Sequence, residues 1–160
     1  MGIAALTAWI VTASGGLYLL VVWLIEDDGA NQGAAASRLP GLTVTSHLLL
    51  ALGGLAIWVA HLVTGSQALA WWASAFLVVV ALLGVTMLVR WIPVYRAPIP
   101  AVPIPAVPIP AAALSAAPVP RFAAPAVPAE RNFPLVVVLA HGVLGASALL
   151  LVLLATLQSG

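Results

Sequence analysis

Cysteine is missing from this sequence, and so is lysine. Without thiols there is no disulfide, no thiolate metal site, no iron–sulfur cluster and no C-x-x-C-H attachment of a c-type haem. Without lysine all basic charge is arginine, five residues against four acids, for a net charge of +1. No basic stripe is left to grip nucleic acid. Charged residues make up only 6% of the 160 positions, against roughly a quarter in an ordinary soluble domain. A nucleophile–base pair, a phosphate-binding loop and an H-E-x-x-H helix are also lacking, so the usual hydrolytic and phosphoryl-transfer chemistries have no foothold.

What remains is apolar. Hydrophobic residues account for 64% of the chain and mean hydropathy is +1.20. A soluble fold of this size could not bury so much apolar surface, whereas a bilayer solvates it. Four stretches, residues 3–25, 42–64, 69–89 and 135–157, are each long enough to cross and contain no Asp, Glu, Lys or Arg. Only helices and closed barrels satisfy their backbones in lipid, and a barrel would show short alternating segments. The expected fold is therefore an all-α integral membrane protein, a single domain over residues 1–160 built as a four-transmembrane-helix bundle. Trp9, Trp23, Trp71, Trp72 and Trp91 fall toward the ends of the stretches, where an aromatic belt is expected. The first stretch has no basic residues before it and outruns a signal-peptide core, so it reads as a crossing.

The connections differ. Gly65-Ser66-Gln67 makes a tight turn between the second and third helices, and a polar segment from Glu26 to Pro40 joins the first two. Glu26, Asp27 and Asp28 project in different directions and read as a solvated helix end. Between the third and fourth helices lies a Pro/Ala-rich loop over residues 97–129, with ten of the thirteen prolines between Pro98 and Pro128. Such a run favours extended polyproline II. Its apolar filling suits either a spacer or a strap lying on a partner subunit. Arg38, Arg90, Arg96, Arg121 and Arg131 all lie on the side of the long connections. The positive-inside rule then puts those loops in the cytoplasm and the termini outside, in a cell (inner or plasma) membrane.

The second and fourth helices begin alike. Arg38 precedes Pro40 and Arg131 precedes Pro134, and a histidine follows each proline seven positions later, His47 and His141. Proline suits a first helical turn, so each histidine sits about 10 Å into its helix from the same side. The expectation is a duplicated helical hairpin with two imidazoles at matching depth. Polar groups inside a span usually mark function. Two facing neutral imidazoles in an apolar bundle suit haem b, with His47 and His141 as axial ligands of the metal. Small residues Gly53, Gly54, Gly142, Gly145 and Ala148 along the same two helices are candidates for letting the site close up.

His47 and His61 are fourteen residues apart on one helix face. This spacing resembles the paired histidines of four-helix, di-haem b-type membrane cytochromes, over the second helix and part of the fourth. The resemblance implies haem-mediated electron transfer within a larger redox complex, exchanging electrons with quinone or a partner protein. The full pattern would need a histidine at position 155, which is Ala155. One bis-histidine haem is thus the economical expectation, with His61 as a candidate second ligand. Arg38, Arg90 and Arg131 are candidate propionate contacts, and Met87 is a further axial candidate. The rival reading is a cofactor-free accessory subunit of a membrane complex. A small transporter is less well supported, because the spans contain no carboxylate.

Overall fold

The computed structural model describes residues 1–30, 37–98 and 128–158. They form four helices, α1 (Gly2–Ala30), α2 (Gly41–Thr64), α3 (Gln67–Arg96) and α4 (Leu135–Gln158), with a short 3-10 turn over Ala129–Asn132 before α4. Among the described residues there is no strand. All four helices are long and apolar enough to cross a membrane. The Pro/Ala-rich segment expected over 97–129 falls largely outside the described residues.

Helix boundaries follow from local chemistry. Pro40 and Pro134 stand one position before α2 and α4, as caps rather than inside the first turn. The carbonyl of Pro40 accepts from the N–H groups of Thr43 and Val44 at 2.8 and 3.2 Å, and that of Pro134 from Val137 and Val138 at 2.9 and 3.1 Å. Both helices are therefore started in the same way. Helix α2 stops at Gly65, whose φ of 68° is open to a residue without a Cβ, and whose N–H caps the His61 carbonyl. Helix α3 runs past the expected end at residue 89 to Arg96. Loss of apolarity does not end a helix; Pro98 does, by biasing Ala97 to an extended conformation (ψ 137°). Pro93 is tolerated within α3 and withholds only the bond to the Val89 carbonyl.

Neighbouring helices group into two close pairs, α1 with α4 and α2 with α3, while the diagonals α1–α3 and α2–α4 make no close backbone approach. The buried core occupies one half of the bundle. Ala5 and Trp9 of α1, Trp58 of α2, Ala70, Ala73, Leu77 and Val80 of α3, and Ala148, Val152 and Ala155 of α4 form it. Trp9 and Trp91 face inward instead of joining an aromatic belt, at 2% and 4% exposure. Gly54 makes room for Trp9, since a Cβ there would lie 3.1 Å from the indole. In the other half, residues 10–26, 41–53, 81–90 and 135–147, no residue is buried. The outer faces carry exposed Leu49, Leu52, Val59, Val143 and Leu150, a surface that hydrocarbon solvates and water does not.

A polar knot closes the loosely packed half. Glu130 is fully buried; its Oε2 accepts from Ser37 Oγ at 2.8 Å and its Oε1 from the Arg38 N–H at 2.7 Å. Trp23 of α1 donates to Ser37 Oγ at 3.0 Å, and Trp91 of α3 donates to the Glu130 carbonyl at 2.9 Å. Arg131 donates to the Val94 carbonyl at 3.2 Å. Glu130, through its carboxylate and its backbone carbonyl, thus ties α1, the segment before α2, α3 and the segment before α4 together.

Candidate functional site

His47 and His141 meet at the boundary between the two halves. Each lies six residues into its helix, and the two rings come together from diagonal helices, with centroids 6.3 Å apart and planes tilted by 59°. The Nδ1 of His47 bonds the Val80 carbonyl at 3.0 Å, and the Nδ1 of His141 bonds the Thr12 carbonyl at 2.9 Å. A carbonyl only accepts, so each Nδ1 carries the proton and each Nε2 keeps its lone pair. Neither Nε2 bonds to any described residue. A hydrogen bond on the far nitrogen is the usual way a protein fixes the tautomer and direction of a metal-binding imidazole.

The opposing helices are shaped for these rings. A Cβ at Gly16 would lie 2.8 Å from His141 Cε1, and one at Gly84 would lie 3.4 Å from His47 Cε1. Gly16 follows Thr12 by four residues and Gly84 follows Val80 by four, so the arrangement occurs twice, with α1 serving α4 and α3 serving α2. The glycines expected to open the site do other things. Gly53 and Gly54 receive Phe76 and Trp9, Gly145 faces Thr12, and a Cβ at Gly142 would meet nothing within 4 Å.

Two imidazoles at this separation could hold one metal centre between them. A nitrogen–metal bond of about 2 Å on each side, with roughly 1 Å from nitrogen to ring centre, separates two axial imidazole centroids by about 6 Å. The unburied half of the bundle adjoins the pair, and the dry core lies beyond it. Groups of three or more His, Cys, Asp or Glu side chains able to hold a metal are absent among the described residues.

The other expected residues are placed elsewhere. His61 is buried at the far end of α2, donates through Nδ1 to the Ser66 carbonyl at 2.9 Å and packs its ring 4.9 Å from that of Trp58. It fastens the α2–α3 turn. Arg131 is engaged with Val94, while Arg38 and Arg90 line an outward-facing cleft with Ser37, Pro40, Val89 and Pro93. Met87 lies on α3 three residues beyond Gly84. Thr12, Gly16, Val80, Gly84 and Glu130 carry the site and its closure, and sequence reasoning does not single them out; glycines in mid-span at 16 and 84 are the available signal. Comparison with known protein families, with characterised proteins and with solved structures finds no match to this chain.

Proposed function

We propose that this chain is a membrane-embedded b-type cytochrome subunit that holds one haem between His47 and His141 and relays single electrons within a larger redox assembly. The observation that carries the reading is the imidazole pair itself: two rings with centroids 6.3 Å apart, each with its Nδ1 bound to a backbone carbonyl. When bound, the haem supplies a one-electron ferric/ferrous couple. The protein supplies the rest. His47 and His141 would hold it through Nε2, the carbonyls of Val80 and Thr12 hold the rings in orientation, and Gly84 and Gly16 let them sit close to the neighbouring backbones. The apolar flanks of the bundle keep water away, and the Glu130 knot closes the end nearest the pair.

Four crossings in a cell membrane, arranged as a duplicated hairpin, complete the proposal. The matched proline caps and the matched Thr12/Gly16 and Val80/Gly84 placements support the duplication. Arg38, Arg90, Arg96 and Arg131 lie at one end of the bundle, which the positive-inside rule assigns to the cytoplasm. Quinone or a second redox protein is the proposed exchange partner.

The test is an oxidised and a dithionite-reduced absorption spectrum of the detergent-solubilised protein. Soret and α bands of a six-coordinate haem b are expected, and both should vanish in His47→Ala and in His141→Ala. A colourless protein, or bands that survive His141→Ala, would remove the haem reading and leave the cofactor-free accessory subunit.

A further inference from the structure

Outside the α2/α3 pair, away from the histidines, an open cleft of about 580 Å³ is lined by Ser37, Arg38, Pro40, Val89, Arg90 and Pro93. Two of the chain's five arginines face it. Both are exposed, and neither guanidinium bonds or pairs with any described residue. In a chain with so little charge, two guanidinium groups on one cleft concentrate positive potential.

The backbone beneath them is held firmly. The N–H of Arg38 is bonded to Glu130 Oε1, and Trp91, next to Arg90, donates to the Glu130 carbonyl. Glu130 thereby fixes where both arginines start, through its carboxylate for Arg38 and its backbone carbonyl for Trp91, and the carboxylate is bonded to Ser37 and the Arg38 N–H instead of to either guanidinium. Position along the molecule supplies the level. Arg90 lies 23 residues beyond Gln67 on one helix, which is about 35 Å of rise, just past a hydrocarbon core of about 30 Å. The cleft also has apolar lining, Val89 one residue to the core side of Arg90 and Pro93 three residues beyond it.

We infer that this cleft is a binding site for a phosphate-bearing anion, and that the headgroup of an anionic phospholipid is its occupant. Guanidinium forks bind phosphate oxygens in bidentate fashion, and the apolar lining suits the start of an acyl chain. Among the described residues none of α1 or α4 lines the cleft, so it lies outside the space between the helix pairs where a group held by both histidines would be. That separates it from a haem propionate site.

Native mass spectrometry of the full chain in neutral detergent tests the inference, titrating phosphatidylglycerol against phosphatidylcholine of matched acyl chains. The wild-type protein should retain phosphatidylglycerol preferentially, and Arg38→Gln and Arg90→Gln should each reduce that preference about five-fold. Arg96→Gln, at an exposed arginine outside the cleft, should leave it unchanged. Inorganic phosphate is the second probe: a lipid site is displaced only weakly by it, whereas equal binding of phosphate to lipid-stripped protein identifies a free phosphate as the source. Equal losses in Arg96→Gln and Arg38→Gln would overturn the site in favour of diffuse surface charge. Loss of haem bands in Arg38→Gln or Arg90→Gln with lipid preference intact would overturn it in favour of propionate contacts. Haem bands unaltered in both variants, with lipid preference lost, support the cleft independently of the histidine site.

Discussion

Thr12 and Gly16 account for how an imidazole reaches a carbonyl that a helix already uses. The Thr12 carbonyl accepts the N–H four residues on, at Gly16, but a carbonyl oxygen has a second lone pair. A side chain at position 16 would cover the approach to it; glycine leaves it open. Ala at this position would place a Cβ 2.8 Å from His141 Cε1, and the ring could relieve that contact only by giving up its aim or its bond to Thr12. Gly16→Ala is therefore expected to lose most of the haem absorbance per mole of protein, whereas Gly142→Ala, whose Cβ meets nothing within 4 Å, should retain it. Equal retention in both variants would argue against a tightly aimed His141. The histidines are readable from sequence because a proline and a depth of seven residues fix their level. Their glycine partners are not, because choosing Gly16 over Gly142 requires knowing which helix stands opposite. Glu130 is hidden for a different reason: beside Arg131 and after a proline run it looks like solvated loop, and only the fold brings Ser37 and the Arg38 N–H to its oxygens.

At the scale of elements, boundaries are legible where chemistry is local and less so where it is not. Pro40, Pro134 and Gly65 read as punctuation, though the prolines cap their helices instead of lying inside the first turn. The end of α3 differs from its expected place because apolarity is a poor measure of helix length, while Pro98 is what stops the backbone. His61 shows the same limit from the other side. Its spacing from His47 suggests a second ligand; its Nδ1 is bonded to the Ser66 carbonyl, its ring packs on Trp58, and no second histidine stands opposite it at Ala155. His61→Phe keeps the ring packing and removes that hydrogen bond. It should lower stability by about 1 kcal/mol, measured by denaturant titration in mixed micelles, and leave the haem spectrum and content untouched. A drop in haem content with unaltered stability would make His61 a ligand after all.

For the whole molecule, composition and four uninterrupted apolar stretches make the architecture legible, but not how its interior is divided. The dry core sits wholly on the side of His61, where Trp9, Trp58, Leu77 and Val152 fill the space between the helix pairs. The other side, bounded by the imidazoles and the Glu130 knot, has no buried residue along any of its four helix segments. Sequence does not show this asymmetry, because aromatic and aliphatic side chains in a membrane helix are equally at home facing lipid or facing a neighbour. On the proposed haem reading, the division limits the cofactor count. A second haem at the level of His61 would need a ligand from α4, at Ala155, and would have to displace a packed core that includes the fully buried Trp58. Haem should accordingly be present at one per chain, by reduced pyridine haemochrome absorbance against quantitative amino-acid analysis. Ala155→His should not raise that ratio, because supplying the missing ligand does not clear the space. A ratio approaching two in the variant would mean that the far half yields to a porphyrin and that the lone ligand was its only deficiency.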